Sequence, residues 1–169
     1  QHLAFHDRLT GLPNRALFIE RLEQTIIAAT RRNASFAVAF IDLDKFKPIN
    51  DSAGHEAGDT VLREIAGRLR QCVRESDTVA RQGGDEFVLL LQDSTQQGLQ
   101  RVAEAVLEKV SQPIHWQNAV FTISASIGFA LFPKDGKNIE ELLSAADVSM
   151  YRAKQAGRNQ ADFGARPIG

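Results

Sequence analysis

The sequence predicts a mixed α/β domain in the broad sense, a central and mainly antiparallel sheet covered by helices. Three observations carry that prediction. Segments succeed one another as helix, strand, helix, strand–hairpin–strand, helix, strand, helix. The hairpin in the middle makes two strands antiparallel neighbours, which argues against a doubly wound parallel sheet. With 169 residues, 43% hydrophobic and 24% charged, the chain suits one domain with a sizeable core.

Each element has its own signal. After the Pro13-Asn14 turn, Phe18, Leu22, Ile26 and Ala29 recur at helical spacing to about residue 31. "SFAVAFIDL" follows, an apolar run that reads as a strand buried on both faces. Gly58 precedes a helix carrying Val61, Leu62, Ile65, Leu69, Cys72 and Val73. "DTVARQ", Gly83-Gly84 and "DEFVLLL" read as a β-hairpin, because paired glycines supply the positive φ of a tight turn. Leu99, Val102, Val106 and Val110 mark a third helix. In "VFTISASIGFALF", Phe121, Ile123, Ala125, Ile127, Phe129 and Leu131 share one face, as in a long half-buried strand. The last helix carries Ile139, Leu142, Leu143, Ala146, Met150 and Ala153 and ends at Gly157. The whole chain, 1–169, reads as a single domain, with 1–6 and about 164–169 as linker ends of a longer protein.

Composition excludes several function classes. A net charge of −1 gives no broad nucleic-acid-binding surface. Cys72 is the single cysteine, so neither an internal disulfide nor a multi-cysteine metal site can form; on its apolar stripe it reads as a buried thiol. His2, His6, His55 and His115 have no metal spacing. No apolar stretch spans a bilayer and no signal peptide is visible, so a cytoplasmic domain is expected, whether or not the full-length protein is membrane-attached. P-loop, G-x-S-x-G and H-E-x-x-H words are absent.

The chemistry concentrates in two words. "IDLDKFKPIND" ends the first strand, and alternation places Asp42 and Asp44 on one face. "RQGGDEF" places Asp85 and Glu86 at the mouth of a buried strand. Seen alone, a glycine pair is an ordinary turn and an aspartate an ordinary strand end. If the two strands pair, however, Asp42 approaches Asp85 and Glu86, and converging carboxylates repel unless a divalent cation lies between them. All-oxygen ligation suits Mg²⁺ or Mn²⁺, and Mg²⁺ typically arrives with substrate phosphates. Lys47, Lys154 and Arg158 are cations suited to polyphosphate, and Asn50 and Asp59 suit a base edge.

Five words, "DRLTGLPNR", "DLDKFKPINDSAGHEAGD", "RQGGDEF", "SIGFA" and "ADVSMYRAKQAGRN", make the chain resemble the GGDEF domains of the diguanylate cyclase family over essentially its whole length. The resemblance implies a fold akin to polymerase palms and class III nucleotidyl cyclases. It implies that two GTP condense to cyclic di-GMP and pyrophosphate, one GTP on each protomer of a transient two-fold homodimer. By the same resemblance Asp42, Asp85 and the Leu43 carbonyl hold two metal ions. Asp85 also serves in removing the hydroxyl proton, and Glu86 supports the site. Lys47 stabilises the transition state, and the backbone at Lys45 and Phe46 cradles phosphates. Lys154 and Arg158 clamp the distal phosphates. Asn50 and Asp59 read guanine, with His55 lining the same pocket, while Gly83 and Gly84 let the nucleotide approach the backbone. Arg74 and Asp77 match the family's R-x-x-D motif, an inhibitory site for the cyclic di-GMP product. An adjoining sensory region is implied, and a phosphodiesterase domain is left open. Departures are slight: Asp85 is one of two active forms at its position, and Ser149-Met150 replaces the usual Ala-Leu. The alternative is a catalytically silent domain that binds GTP or cyclic di-GMP and regulates an attached module.

Overall fold

The computed structural model describes residues 2–164, with side chains from Ala4 onward; the expected linker end beyond Gly164 lies outside the described residues. In chain order the elements are α1 (His2–Phe5), α2 (Arg15–Arg32), β1 (Phe36–Asp44), α3 (Phe46–Ala53), α4 (His55–Gln71), β2 (Thr78–Gly83), β3 (Glu86–Leu91), α5 (Gln96–Val110), β4 (Ile114–Trp116), β5 (Ala119–Phe121), β6 (Ser124–Phe132), α6 (Ile139–Gln155) and β7 (Gln160–Asp162). The main sheet runs β2-β3-β1-β6-β7. Its pairs are antiparallel except β6 with β7. The fold is the mixed, mainly antiparallel α/β sheet covered by helices that the sequence predicts.

Alternation along β1 sorts the core into two layers. Ala37, Ala39, Ile41 and Leu43 pack with Val61, Ile65 and Leu69 of α4 and Leu99 and Val106 of α5. Phe36 and Val38 face the other way, with Phe18 and Leu22 of α2 and Leu142 and Ala146 of α6. Asp42 and Asp44 continue that second face, so the fold aims both carboxylates at the side of the sheet that α6 covers.

Several elements differ from expectation, among them the short strands β4 and β7 that the sequence did not announce. The long strand breaks: β5 pairs with β4 as a separate hairpin, and only β6 joins the main sheet. Nor is β6 half-buried, because Ala125 to Ala130 are all buried. Its second face carries Ser126, Gly128 and Ala130, residues small enough for α6 to lie directly on the strand. A Cβ on Gly128 would stand 2.0 Å from Met150 N and 2.4 Å from Ala146 O. The helix expected after Gly58 starts at His55, and a further short helix, α3, precedes it. Only Phe46 and Ile49 of α3 are buried, too few for a legible period. The first residues, read as linker, include the single-turn α1 and a bridge from His6 to Pro13. Cys72 is half-buried and donates to the Arg68 carbonyl at 3.3 Å, with burial pushing its thiol pKa up.

Candidate active site

The site begins where β1 ends. Antiparallel register sets Asp42 opposite Glu86 of β3 on one side and Ser126 of β6 on the other. Asp42 is buried, and its Oδ2 pairs with Nζ of Lys154 from α6. Its Oδ1 is also buried and takes no hydrogen bond from the described residues. An orphaned carboxylate oxygen is costly unless something cationic completes it.

Facing it is the β2–β3 turn. Gly83 pairs with Glu86, leaving Gly84 and Asp85 at the tip. The glycine φ angles are +157° and +49°, and no atom lies within 4 Å of a Cβ built on either. Conformation therefore demands glycine here, and the space beside the turn stays open. Leu43 N–H donates to the Asp85 carbonyl at 3.2 Å, tying the tip to β1. The Asp85 carboxyl is pushed up to about 6, first by burial, then by the Asp42 charge, with the Glu86 charge adding to it. Glu86 is raised too, by burial and then by Asp42, with Asp147 adding and Lys154 opposing.

A divalent cation fits this donor set. Burial and the Asp42 charge disfavour the ionised forms of Asp85 and Glu86, and one buried Asp42 oxygen has no partner, a disposition a cation reverses. Among the described residues no three His, Cys, Asp or Glu side chains form a metal cluster. Two carboxylates and a backbone carbonyl would leave coordination positions for phosphate oxygens and water, as Mg²⁺ commonly takes.

The remaining site residues lie on α3, α4 and the end of α6. Lys45 caps α3 in the left-handed region (φ 63°), with Phe46 buried beside it and Lys47 exposed in the first turn. Gly54, at φ 96°, joins α3 to α4, so that Asn50 and Asp59, both half-buried, come from facing helices. Gly58 permits this: a Cβ there would fall 2.3 Å from Asn50 Oδ1. His55, exposed, opens α4. Arg158 follows α6 and stands 3.9 Å from Asp44.

Arg74 and Asp77 lie apart from this cluster, at the far end of the β2–β3 hairpin. Five residues of strand at about 3.3 Å each separate Asp77 from Gly83, roughly 17–20 Å. The Asp77 side chain, 3% exposed, accepts from Arg74 N at 2.9 Å and Gln92 N at 2.8 Å. Arg74 itself bonds the Gln92 carbonyl and pairs with Asp77. Both line a cavity of about 460 Å³, together with Arg101 of α5.

Comparison with known proteins decides the family. A family model, "Diguanylate cyclase, GGDEF domain", matches residues 4–160. The chain belongs to the GGDEF diguanylate cyclase family. It is 50% identical over 157 residues to the bifunctional diguanylate cyclase/cyclic di-GMP phosphodiesterase MucR of Pseudomonas aeruginosa, covering 93% of this chain and 23% of that protein. With diguanylate cyclase TpbB of the same organism it shares 45% identity, over 93% of this chain and 37% of the relative. The solved GGDEF domain of TpbB superimposes with a TM-score of 0.91 at 42% identity, over 95% of this chain and 94% of that one. The GGDEF domain of DgcB from Caulobacter crescentus, solved in complex with c-di-GMP, gives 0.87 at 28% identity, over 94% and 92%. This GGDEF domain thus spans between about a quarter and two fifths of the length of those two curated relatives. Among its described residues no helix is long and apolar enough to cross a membrane.

Several residues that shape the GGDEF turn escaped sequence reasoning. Arg81 donates from Nε and Nη2 to the Gly84 carbonyl at 3.0 and 2.8 Å, and from Nη1 to Asp7 at 3.0 Å. Away from the turn, Asp44, which alternation had already placed beside Asp42, accepts from Ser124 and Ser126, partners the sequence did not show. Contacts made across 74 and 80 residues leave no local pattern to read. The one available signal was that Asp7, Asp44 and Arg81 stand inside the matching words.

Proposed function

We propose that this GGDEF domain condenses two GTP into cyclic di-GMP, acting as a transient homodimer with one GTP on each protomer. Each 3′-hydroxyl attacks the α-phosphate of the other nucleotide. An O3′–P bond forms, the bond from that α-phosphorus to the bridging oxygen breaks, and pyrophosphate leaves. The observation that carries the reading is the register of Asp42 against Glu86, which sets the Asp42 and Asp85 carboxylates together beneath an open glycine turn.

Asp42, Asp85 and the Leu43 carbonyl are the groups that would hold Mg²⁺ or Mn²⁺, two ions per site, and the bound ions supply Lewis-acid neutralisation of phosphate charge. Asp85 is also the group we assign to receive, or help remove, the hydroxyl proton, with Glu86 supporting it. The α3 N-terminus, at Lys45 and Phe46, offers backbone N–H groups to phosphate. Lys47 adds a cation there. Lys154 and Arg158 are assigned to the distal phosphates. Asn50 and Asp59, with His55 beside them, read guanine: a carboxylate accepts from N1–H and the 2-amino group, a donor pair adenine does not present. We place the domain in the cytoplasm, where GTP is supplied, joined to sensory or phosphodiesterase domains in its full-length chain.

Incubation of the purified protein with GTP and Mg²⁺, followed by chromatography, tests the assignment. Cyclic di-GMP and pyrophosphate should appear together. One relative, 38% identical, is named cyclic di-GMP phosphodiesterase NbdA, which keeps a silent regulatory role as the second reading. Nucleotide binding without product would establish that second reading instead.

A further inference from the structure

Asp44 is the one acidic residue of the "DLD" word that the proposed chemistry does not use, and its surroundings are unusual. Its side chain is 1% exposed. Ser124 Oγ donates to it at 2.7 Å, Ser126 Oγ at 2.8 Å and the Asn159 backbone N–H at 3.1 Å, while the Arg158 guanidinium stands 3.9 Å away. Three donors come from β6 and from the loop after α6, so one carboxylate ties β1 to both.

The loop needs that tie. Arg158 and Asn159 both sit in the left-handed region, at φ 63° and 52°. Two successive non-glycine residues there cost roughly 1–2 kcal/mol each and persist only when their surroundings hold them. Within the loop, Arg158 N–H donates to the Ala153 carbonyl at 2.9 Å, and the Gln160 side chain donates to the Arg158 carbonyl at 3.1 Å. Asp44 supplies the hold from outside the loop. A neutral acceptor of similar shape would serve a purely structural staple with less repulsion, since Asp44 adds a negative charge about 7 Å along the strand from Asp42. The charge acquires a purpose once the guanidinium is counted.

We propose that Asp44 is a positioning residue for substrate triphosphate, holding the Arg158–Asn159 turn so that the guanidinium points along the sheet face toward the distal phosphates. The inference rests on the proposed use of GTP. It makes β1 a paired device: Asp42 faces the metal and Lys154, and Asp44 sets Arg158.

Calorimetric titration with 3′-deoxy-GTP and 3′-deoxy-GMP, which lack the attacking hydroxyl and so cannot turn over, tests this in Mg²⁺ buffer. Asp44→Asn and Arg158→Ala should each weaken the triphosphate about tenfold, as loss of a charge-assisted contact does. The double variant should be no weaker than Arg158→Ala alone, and monophosphate affinity should stay within about twofold of wild type, the signature of one shared function. Should Asp44→Asn fail to fold, Ser126→Ala, which keeps the charge and removes one donor, is expected to give a smaller loss confined to the triphosphate. Additive losses, or equal losses for mono- and triphosphate, would reduce Asp44 to a structural staple and overturn the proposal. So would an unchanged triphosphate affinity. A wild-type protein that binds neither nucleotide removes the GTP reading itself, a distinguishable failure that also ends this inference.

Discussion

Arg81 and Asp7 are joined by a 3.0 Å ion pair that connects the start of the domain to the β2–β3 glycine turn. Asp7 is itself held by Thr10, from N at 2.9 Å and Oγ1 at 2.7 Å, and Arg81 N–H donates to the Pro13 carbonyl at 3.0 Å. The other edge of the same guanidinium holds Gly84 O. A displacement of residues 7–14 is therefore felt one residue before Asp85.

Arg81→Ala removes all three side-chain bonds from a mostly buried position. A loss of about 2–3 kcal/mol in stability is expected, because Asp7 and Gly84 O lose charge-assisted partners. Cyclase activity should fall further than stability accounts for, measured on protein shown to be folded by circular dichroism. A variant with full activity at reduced stability would show that the turn keeps its shape without Arg81.

Asp7→Asn gives a pH-dependent version of the same test. Burial pulls the Asp7 carboxyl upward, but the two Thr10 hydrogen bonds and Arg81 outweigh it, and its pKa is lowered below the ordinary 3.8. A depressed folded-state pKa contributes stability above the unfolded value and loses it as pH falls through the folded value. Wild type should therefore melt above Asp7→Asn at neutral pH, and the gap should close as the pH drops below 3.8. A gap independent of pH would assign the effect to shape rather than charge.

Asp85→Asn separates metal binding from fold. It removes a carboxylate that Asp42 and burial both disfavour, so in chelator the variant should melt at or above the wild-type temperature. Adding Mg²⁺ should raise the wild-type melting temperature by mass action and leave the variant unmoved. Cyclic di-GMP synthesis should drop by at least about a thousandfold, in line with loss of a group that acts on transition-state charge. Equal Mg²⁺ shifts in both proteins would place the ion elsewhere.

Guanine recognition has two tests of different kinds. Asp59→Ala should weaken GTP by roughly 10- to 100-fold while leaving the weaker ATP binding nearly unchanged. Gly58→Ala removes no functional group, yet its Cβ would meet the movable end of Asn50 at 2.3 Å and turn that amide aside. Loss of guanine preference with the melting temperature kept near wild type is the expected result. An unaltered preference in both variants would move base reading off α3 and α4.

How much of this was written in the sequence varies by residue. Period-two alternation alone put Asp42 and Asp44 on one face, and the glycine pair announced the hairpin; both arise from local sterics and are legible locally. The burial of β6 on both faces was hidden because Ser126, Gly128 and Ala130 look like a solvent face, whereas the smallness of Gly128 is what admits α6. The pairing of Lys154 with Asp42 joins residues far apart in the chain and depends on α6 crossing the sheet at one height. Residue types singled out the carboxylates and cations; packing decided which cation meets which carboxylate.

Product inhibition through Arg74 is best tested without touching Asp77. Asp77 staples the hairpin's far end with two backbone hydrogen bonds and is almost wholly buried. Its removal would leave Arg74 N and Gln92 N unpaired at a cost of about 1–3 kcal/mol, confounding any kinetic reading. Arg74 is 59% exposed, and Arg101 reaches the same cavity from α5. Two guanidinium groups over a cavity of about 460 Å³ suit a ligand with phosphates and flat bases, within the usual range for small-molecule sites. Arg74→Ala and Arg101→Ala should each keep the initial rate near wild type and abolish the slowdown as product accumulates. Progress curves with added cyclic di-GMP measure this directly. Because the cavity lies roughly 17–20 Å from Gly83 by strand length, inhibition should lower the maximal rate without being relieved by more GTP. Competition by GTP, or equal inhibition of wild type and both variants, would locate the inhibitory product at the catalytic turn instead.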